Sequence, residues 1–494
     1  CDWSSDVCSS DLFKMGMDLM AKTFAGLEDE LASELKSIGA SDVEIIKRGC
    51  TFRGDTSLMY KINYLSRLAV RVLKPISVFE VKNDEQLYKK VKKIDWGSIF
   101  KLNQTFSVEA NLFHSDLDHS HYAALKTKDA IVDQFREATG KRPWVNVEKP
   151  NIYIDVHISH NLCTISLDSS GESLHKRGYK IDADKAPINE ILAAGMIKLS
   201  GWKADCDLYD PMCGSGTIPI EAAMMAMNIP AGYYRDNFAF MNWEEYDESL
   251  WESVKSSAND QLKDLECNIY ASDRSDKAIG ITKRNLKHAG LHKDIIVRSA
   301  YFDSIKPEVP KGIIIMNPPY GIRLEERGEL RDLYKGIGDV LKSNFKGFDA
   351  WIISPNFDSV KFVGLRPSKR ITLFNGPVET KYMKFEIYEG TRRYGDTENQ
   401  NWKDTRKESA KFGKDRLKKK FSPSSNPKTE KKIYPKPKER SIEESSSDEN
   451  RRNVLDKRSK DFERRMESLR RFTGSDSGEK SGKRPRKRID PDKS

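Results

Sequence analysis

The stretch at residues 208–223, LYDPMCGSGTIPIEAA, restricts the fold more than any other part of this chain. Its pattern predicts a short buried strand ending at Asp210, a turn carrying Gly214 and Gly216, and a helix opening at about Thr217. Glycine lets a backbone pass close to a ligand where a Cβ would collide, and the first N–H groups of a helix face the same crevice. Taken alone, a Gly-x-Gly turn is equally compatible with a tight structural turn. A second stretch, GIIIMNPPYG at 312–321, weighs against that reading. Its apolar run stops at Asn317, Pro318, Pro319 and Tyr320, because proline donates no N–H to a sheet ladder and turns the residue before it away from helix. An amide, a rigid turn and an aromatic ring are thereby presented at the carboxyl end of a strand, where open α/β sheets place their ligands.

The pair DPMCGSGT and NPPY resembles the class I S-adenosylmethionine-dependent methyltransferases that modify exocyclic amino groups. SLHKRGY at 173–179, APINEILAAGMIKLSGW at 186–202 and IEAAMMAMNIPAG at 220–232 narrow the resemblance. They look like the THUMP-containing RNA methyltransferases, and most like the 23S rRNA guanine-N2 enzymes. The tetrad NPPY is shared with DNA adenine and protein glutamine methyltransferases, so these flanking blocks carry the narrower likeness. The implied fold is α/β: a Rossmann-like class I methyltransferase domain preceded by a ferredoxin-like plus THUMP α+β RNA-binding module, with a disordered basic C-terminal tail. The expected divisions are a non-native or disordered leader at 1–16, a ferredoxin-like domain at 17–75, THUMP at 76–170, the methyltransferase domain at 171–390 and the tail at 391–494.

A chain of 494 residues exceeds one typical core, in keeping with several domains. No apolar run reaches the roughly eighteen residues of a membrane span. Nothing at the start resembles a secretory signal, so a cytoplasmic protein is expected. The seven cysteines form neither CxxC pairs nor a dense framework, which favours reduced thiols and no zinc site. Charge is uneven: residues 391–494 hold 33 Lys and Arg against 19 Asp and Glu, so the overall net charge of +10 is a property of the tail. Its composition predicts disorder, with a transient helix at 455–472, and the basic stretch RPRKR at 484–488 reads as a non-specific RNA grip.

At the amino end, CDWSSDVCSSDLFK lacks any periodicity and reads as a cloning or assembly remnant before a natural start at Met15 or Met17. From Lys22 onward, strands and helices alternate. An amphipathic helix carries Leu27, Leu31, Leu35 and Ile38, with Gly39 as its C-cap. A second carries Leu58, Ile62 and Leu65. The next unit holds helices at 84–95 and 123–138, a strand at 104–110, and a hairpin turning at His160 and Asn161. In the resembling family this unit binds RNA, and Lys126, Lys128, Lys141 and Arg142, on or just beyond one helix, are placed to meet phosphates. A solvated helix face explains the same lysines equally simply. His114, His119 and His121 lie in a loop without a second ligand cluster, so no metal site is read there.

The resemblance implies S-adenosylmethionine as cofactor and RNA as partner; the cysteine and histidine spacing and the hydropathy add the expectation of no metal and no membrane. Asp210, Met212, Cys213, Gly214, Ser215 and Gly216 fall at its amino-acid moiety. Asp273, at the end of the strand CNIYASD, falls at the ribose hydroxyls, a helix N-cap being the alternative. Asp303 falls at the adenine amino group, with Phe302 placed to pack on the ring. Asn189 and Glu190 fall where the pocket closes, and Pro187 suits the first turn of that helix. An aromatic and charged insertion separates Gly216 from Asp273 by far more than the roughly twenty residues of dinucleotide folds. The chemistry expected at Asn317, Pro318, Pro319 and Tyr320 is direct methyl transfer to an exocyclic amine, guanine N2 of 23S rRNA being the leading target. A tRNA guanine-N2 enzyme on the same scaffold and a non-catalytic RNA-binding assembly factor remain the alternatives.

Overall fold

The structure is a computed structural model that describes residues 17–183, 187–320 and 327–388. The leader at 1–16 and the tail at 391–494, with the expected helix at 455–472, lie outside the described residues. Within them, fourteen strands form two seven-stranded sheets.

The first sheet contains β1 (Met17–Lys22), β2 (Ser41–Ile46), β3 (Gly49–Gly54), β4 (Arg71–Glu80), β5 (Phe106–Phe113), β6 (Ile152–Ser159) and β7 (Leu162–Asp168). Their order is β2-β3-β1-β4-β7-β6-β5. The first residues of β4 pair antiparallel with β1, and the stretch from Leu73 onward pairs with β7. The division expected between residues 75 and 76 therefore falls inside a strand. Pro75, which has no N–H to donate, sits at a register shift where the β4–β7 ladder tolerates the missing donor. At the β6–β7 hairpin His160 and Asn161 both have positive φ, 50° and 63°, as a two-residue type I′ turn requires.

The second sheet contains β8 (Asp207–Asp210), β9 (Ile269–Asp273), β10 (Ile295–Ser299), β11 (Gly312–Met316), β12 (Asp349–Ser354), β13 (Lys369–Asn375) and β14 (Val378–Glu386). The order β10-β9-β8-β11-β12-β14-β13 is parallel through the first five, and β14 runs antiparallel to both its neighbours. Both faces of β8 and β11 are covered, which is why β11 reads as an unbroken apolar run. Leu208, Ile313 and Ile315 enter a core shared with the helices Glu190–Ser200 and Thr217–Ala226. Tyr209, Ile314 and Met316 enter a second core beneath the helix Arg327–Asn344.

The aromatic insertion joins the two sheets. Its Phe240 stacks on Tyr60 of the helix Thr56–Leu65 with ring centroids 4.3 Å apart. Trp251 meets Tyr60, Tyr64, Phe238 and Phe240 edge-on at 5.2–6.0 Å. Tyr64 Oη donates to Asn259 Oδ1 (3.0 Å), and the Gly232 N–H donates to the Tyr64 carbonyl (2.8 Å). Arg67, just past that helix, donates to the carbonyls of Met224 (3.0 Å) and Ile229 (2.7 Å). Trp251→Ala should cost about 3–5 kcal/mol, the usual range for emptying a buried aromatic site. Urea titration followed by circular dichroism reads this, and an unchanged midpoint would mean that the insertion does not cement the sheets.

Candidate active site

Because β8 and β11 are parallel neighbours in the register Gly312–Asp207, Ile313–Leu208 and Ile314–Tyr209, their carboxyl ends lie side by side. The strand order reverses between them, so the chain leaves β8 toward β9 and leaves β11 toward β12. That is the crevice in which open α/β sheets hold ligands. Asp210 closes β8, and Asn317 follows β11 directly.

Each of these residues carries a buried side-chain oxygen without a hydrogen-bond partner, Asp210 Oδ2 and Asn317 Oδ1. The other oxygen of Asp210 accepts the Met212 N–H at 3.2 Å. Burial pushes the Asp210 carboxyl well above the usual carboxylate range; the Met212 hydrogen bond opposes this and the negative charge of Asp273 adds to it. Buried polar atoms are nearly always paired, and leaving one unpaired costs about 1–3 kcal/mol. Two such atoms on adjacent strand ends fit a ligand that offers hydrogen-bond donors.

The glycine turn lies between them. Gly214 has φ +54° and Gly216 φ +80°, the left-handed region that glycine enters without strain. A Cβ on Gly216 would come within 2.8 Å of Thr282 Cγ2, whereas one on Gly214 would meet nothing within 4 Å. Gly216 is therefore needed for internal packing, and Gly214 borders open space. Ser215 Oγ lies 3.4 Å from Thr217 Oγ1, just inside the helix Thr217–Ala226. Cys213 is buried, with its N–H on the Ser272 carbonyl and its Sγ 3.7 Å from Thr282 Oγ1. Burial pushes its thiol well above the ordinary range, which suits a lining residue and not a nucleophile.

Asp273 ends β9 beside the turn and accepts the N–H groups of Gly214 (3.1 Å) and Ser275 (2.9 Å). The cap of the helix Asp276–His288 is Ser275, not Asp273. Asp303 follows β10 in a 3₁₀ turn with its side chain exposed. Phe302, expected on the adenine ring, lies against Phe345 at 5.5 Å. Asn189 caps the helix Glu190–Ser200 by accepting the Ile191 N–H (2.9 Å), so Pro187 precedes the first turn instead of opening it. Glu190 is paired with Lys180 at 2.6 Å. Tyr320 Oη accepts a hydrogen bond from Asn375 Nδ2 (3.1 Å), which ties the ring to the β13–β14 hairpin.

Two supporting residues escaped sequence reasoning. Thr282 and Asn285 are fully buried on the helix Asp276–His288. Thr282 Oγ1 donates to the Gly214 carbonyl (2.9 Å), and Asn285 Nδ2 donates to those of Ser215 (3.0 Å) and Asp182 (2.9 Å). Asn285 Oδ1 accepts the N–H groups of Ile181 and Asp182, each at 3.1 Å. The one available signal was a Thr and an Asn three apart on an otherwise apolar helix face.

Elsewhere, Lys126 and Lys128 lie on the helix Ser120–Thr139, near Asp84 (3.6 Å) and Asp129 (2.6 Å) respectively. Lys141 and Arg142 follow its cap, Gly140, and both are exposed. His114 lies tilted against His160 with centroids 5.2 Å apart, and among the described residues no group of three or more His, Cys, Asp or Glu is placed to hold a metal. Also among the described residues, no helix is long and apolar enough to cross a membrane, and all five cysteines are free thiols.

Residues 177–384 match the RMKL-like methyltransferase domain, residues 81–168 the THUMP domain and residues 18–73 the RlmL ferredoxin-like domain. The chain is 39% identical over 364 residues to "Putative RNA methyltransferase slr0064" of Synechocystis sp., covering 74% of this chain and 95% of that one. It is 37% identical over 389 residues to the ribosomal RNA large subunit methyltransferase K/L of Syntrophotalea carbinolica. That alignment takes in 76% of this chain but only 54% of the relative, so the chain spans about half the length of that protein. Among solved structures, SMU.472 complexed with SAH superposes with a TM-score of 0.69 at 28% identity, over 76% of this chain and 100% of that one. The fold is thus shared along most of this chain, and the chain belongs to the family that joins an RMKL-like methyltransferase domain to THUMP and RlmL-type ferredoxin-like domains.

Proposed function

We propose that this chain transfers a methyl group from S-adenosylmethionine to the exocyclic N2 of a guanosine in RNA, with 23S rRNA as the substrate. The observation that carries the site assignment is the pair of orphaned oxygens, Asp210 Oδ2 and Asn317 Oδ1, on adjacent strand ends. RNA as the substrate class draws on the THUMP match and on the names of the Synechocystis and Syntrophotalea relatives. Guanine N2 comes from the resemblance of the blocks at 173–179, 186–202 and 220–232.

S-adenosylmethionine supplies an electrophilic methyl on a sulfonium centre. In our assignment Asp210 takes the ammonium of its amino-acid end, and Met212, Cys213, Gly214, Ser215 and Gly216 bring the backbone against that end. Asp273 already accepts two N–H groups, and a carboxylate has capacity for further donors such as ribose hydroxyls. Asp303 is assigned to the adenine edge. Asn189, whose oxygen holds the helix cap, borders the pocket as a positioning residue.

An exocyclic amine is a poor nucleophile because its lone pair is delocalised into the ring. Asn317 Oδ1 and the Pro318 carbonyl accept its two N–H bonds, which turns the lone pair toward carbon and fixes the nitrogen in line for attack. Pro319 stiffens the turn. Tyr320 stacks on the extruded base, and the hydrogen bond from Asn375 holds the phenol in place. As the N–C bond forms the sulfonium S–C bond breaks and the neutral thioether leaves; the methylated amine is then acidic and gives its proton to solvent, so no carboxylate base is needed. Lys126, Lys128, Lys141 and Arg142 are assigned to the phosphates of the same RNA.

Asn317→Ala should retain cofactor affinity and lower kcat about 100- to 1,000-fold, the cost of losing one preorganised polar group at a reacting centre. Methyl transfer and calorimetry on the same preparation separate the two, and full turnover in the variant would remove the catalytic assignment. A second expectation concerns protons. Burial favours the protonated form of Asp210 before binding and a bound ammonium favours the carboxylate, so binding should shift this carboxyl toward ionisation, release protons and tighten as pH rises. Calorimetry in buffers of different ionisation enthalpy should show this release in the wild type and none in Asp210→Asn. Buffer-independent heats in the wild type would take Asp210 out of the ammonium site. Mass-spectrometric mapping of rRNA and tRNA from cells lacking the protein should find one guanosine of 23S rRNA missing its N2 methyl; loss confined to tRNA would overturn the substrate.

A further inference from the structure

Beyond the helix Ser120–Thr139 the chain does something that neither its composition nor the methyl-transfer site explains. Gly140 turns through φ +72°, and Trp144 to Asn146 then run beside β5. The Phe106 N–H donates to the Trp144 carbonyl (3.1 Å), and the Asn146 N–H donates to the Phe106 carbonyl (3.1 Å). Asn146 Oδ1 accepts the N–H groups of Glu148 and Lys149, each at 3.1 Å. The backbone is thus pinned to the first residue of a sheet strand, and Phe106 is itself fully buried. Yet the Trp144 side chain is 72% exposed. Its indole meets no other ring among the described residues. A fixed backbone that presents the largest apolar side chain to water is the arrangement of a contact surface, since an exposed tryptophan with no partner gains nothing for the fold.

Trp144 borders a groove of about 570 Å³, whose other walls include Tyr88, Lys126, Lys128, Arg136 and Arg142. Charge alone does not account for this groove. Lys128 is paired with Asp129 (2.6 Å), Arg136 with Asp133 (3.1 Å) and, more loosely, Lys126 with Asp84 (3.6 Å), and Asp129 and Asp133 line the same space. Partly neutralised in this way, the groove is a poor track for the two phosphate ribbons of a duplex. An exposed aromatic face beside a few cations is, by contrast, what proteins offer to unpaired bases, because every base has a π-face and stacking needs no base-specific donor.

We propose that this groove binds a single-stranded segment of RNA, with Trp144 stacked on an unpaired base and Arg142 and Lys126 at the flanking phosphates. This rests on the reading of the chain as an RNA-binding enzyme and deepens it: the first sheet grips an unpaired stretch of the substrate and not its helices.

The test uses the full chain, a labelled oligoribonucleotide of about twelve nucleotides and the same strand annealed to its complement. Trp144→Ala should weaken binding of the single strand about 5- to 150-fold, the range measured for loss of one base–aromatic stack, and leave duplex binding unchanged. Trp144→Phe should restore most of the loss. Replacing one nucleotide at a time by 5-bromouridine and irradiating should give a cross-link within the peptide that carries Trp144. Unchanged single-strand affinity in Trp144→Ala, or equal loss for strand and duplex, overturns the proposal. The double variant Lys126→Ala with Arg142→Ala separates that failure from a wider one. If it binds both RNAs more weakly while Trp144→Ala does not, the groove grips RNA without stacking; if neither variant changes any RNA affinity, the assignment of RNA to this sheet falls as well.

Discussion

A parallel sheet that reverses its strand order has to leave a gap at the carboxyl ends of the two strands on either side of the reversal, because the chain departs from them in opposite directions. Here those strands are β8 and β11, and the rest of the catalytic half is arranged about the gap between them. It lets two residues more than a hundred positions apart, Asp210 and Asn317, end on the same edge with an unpaired oxygen each. A fold gains nothing from such atoms. The surrounding core must offset them, and β11, five residues all buried, packs into both apolar clusters at once. Cost at the strand ends and surplus in the strands belong together: two adjacent oxygens are left unpaired there, and the apolar burial of the strands beside them offsets the loss.

The turn between those ends shows the opposite economy. The carbonyls of Gly214 and Ser215 and the N–H groups of Cys213 and Gly214 are all engaged within the protein, by Thr282, Asn285, Ser272 and Asp273. Asn285 also fastens the segment at 181–182, where Arg284 pairs with Asp182 as a second, exposed tie. A loop with its polar groups spent internally has little freedom left to lose when a ligand arrives, so binding free energy is not consumed in ordering it. Rigidity in the turn and unpaired oxygens at the strand ends are complementary. Under the proposed function the turn sets the distance of approach and the ends supply the specific polar contacts.

Both sheets are legible in the sequence to the extent that their signals are local. The strand at 207–210, the glycine turn and the helix at Thr217 follow from neighbouring residues, as does the C-cap at Gly39, which has φ 112°. What escaped depends on partners far along the chain. The division expected between residues 75 and 76 falls inside β4 because the irregular ladder that joins this strand to β7 is a long-range pairing. Phe240 and Trp251 read as an insertion of aromatic character, but their partners Tyr60 and Tyr64 lie nearly two hundred residues earlier. Asn375 looks like an ordinary hairpin residue until the fold brings its amide to Tyr320. In each case the residue type could be seen and the contact could not, because register and packing between elements are tertiary properties that periodicity does not encode.

The joint between the sheets combines two kinds of contact with different consequences. Aromatic packing around Trp251 supplies attraction that depends little on angle, and alone it would allow the sheets to rock. Beside it runs a set of directional contacts. The Arg67 N–H donates to Glu34, Lys198 pairs with Glu34 at 3.1 Å, and Arg177 donates both to the Arg67 carbonyl (2.6 Å) and to buried Glu221 (3.4 Å). Tyr179 completes the set by donating to the same Glu221 oxygen at 3.0 Å. Buried ion pairs of this kind add little net stability compared with apolar packing, because desolvation offsets most of their attraction. Their geometric demands are strict, however, and a rotation that the aromatic rings would tolerate strands a buried charge. The apolar cluster therefore holds the sheets together, while the charged cluster fixes the angle between them. Under the proposed function, with RNA gripped on one sheet and methylated on the other, a fixed angle would set the span from grip to methyl and so select which nucleotide reaches Asn317.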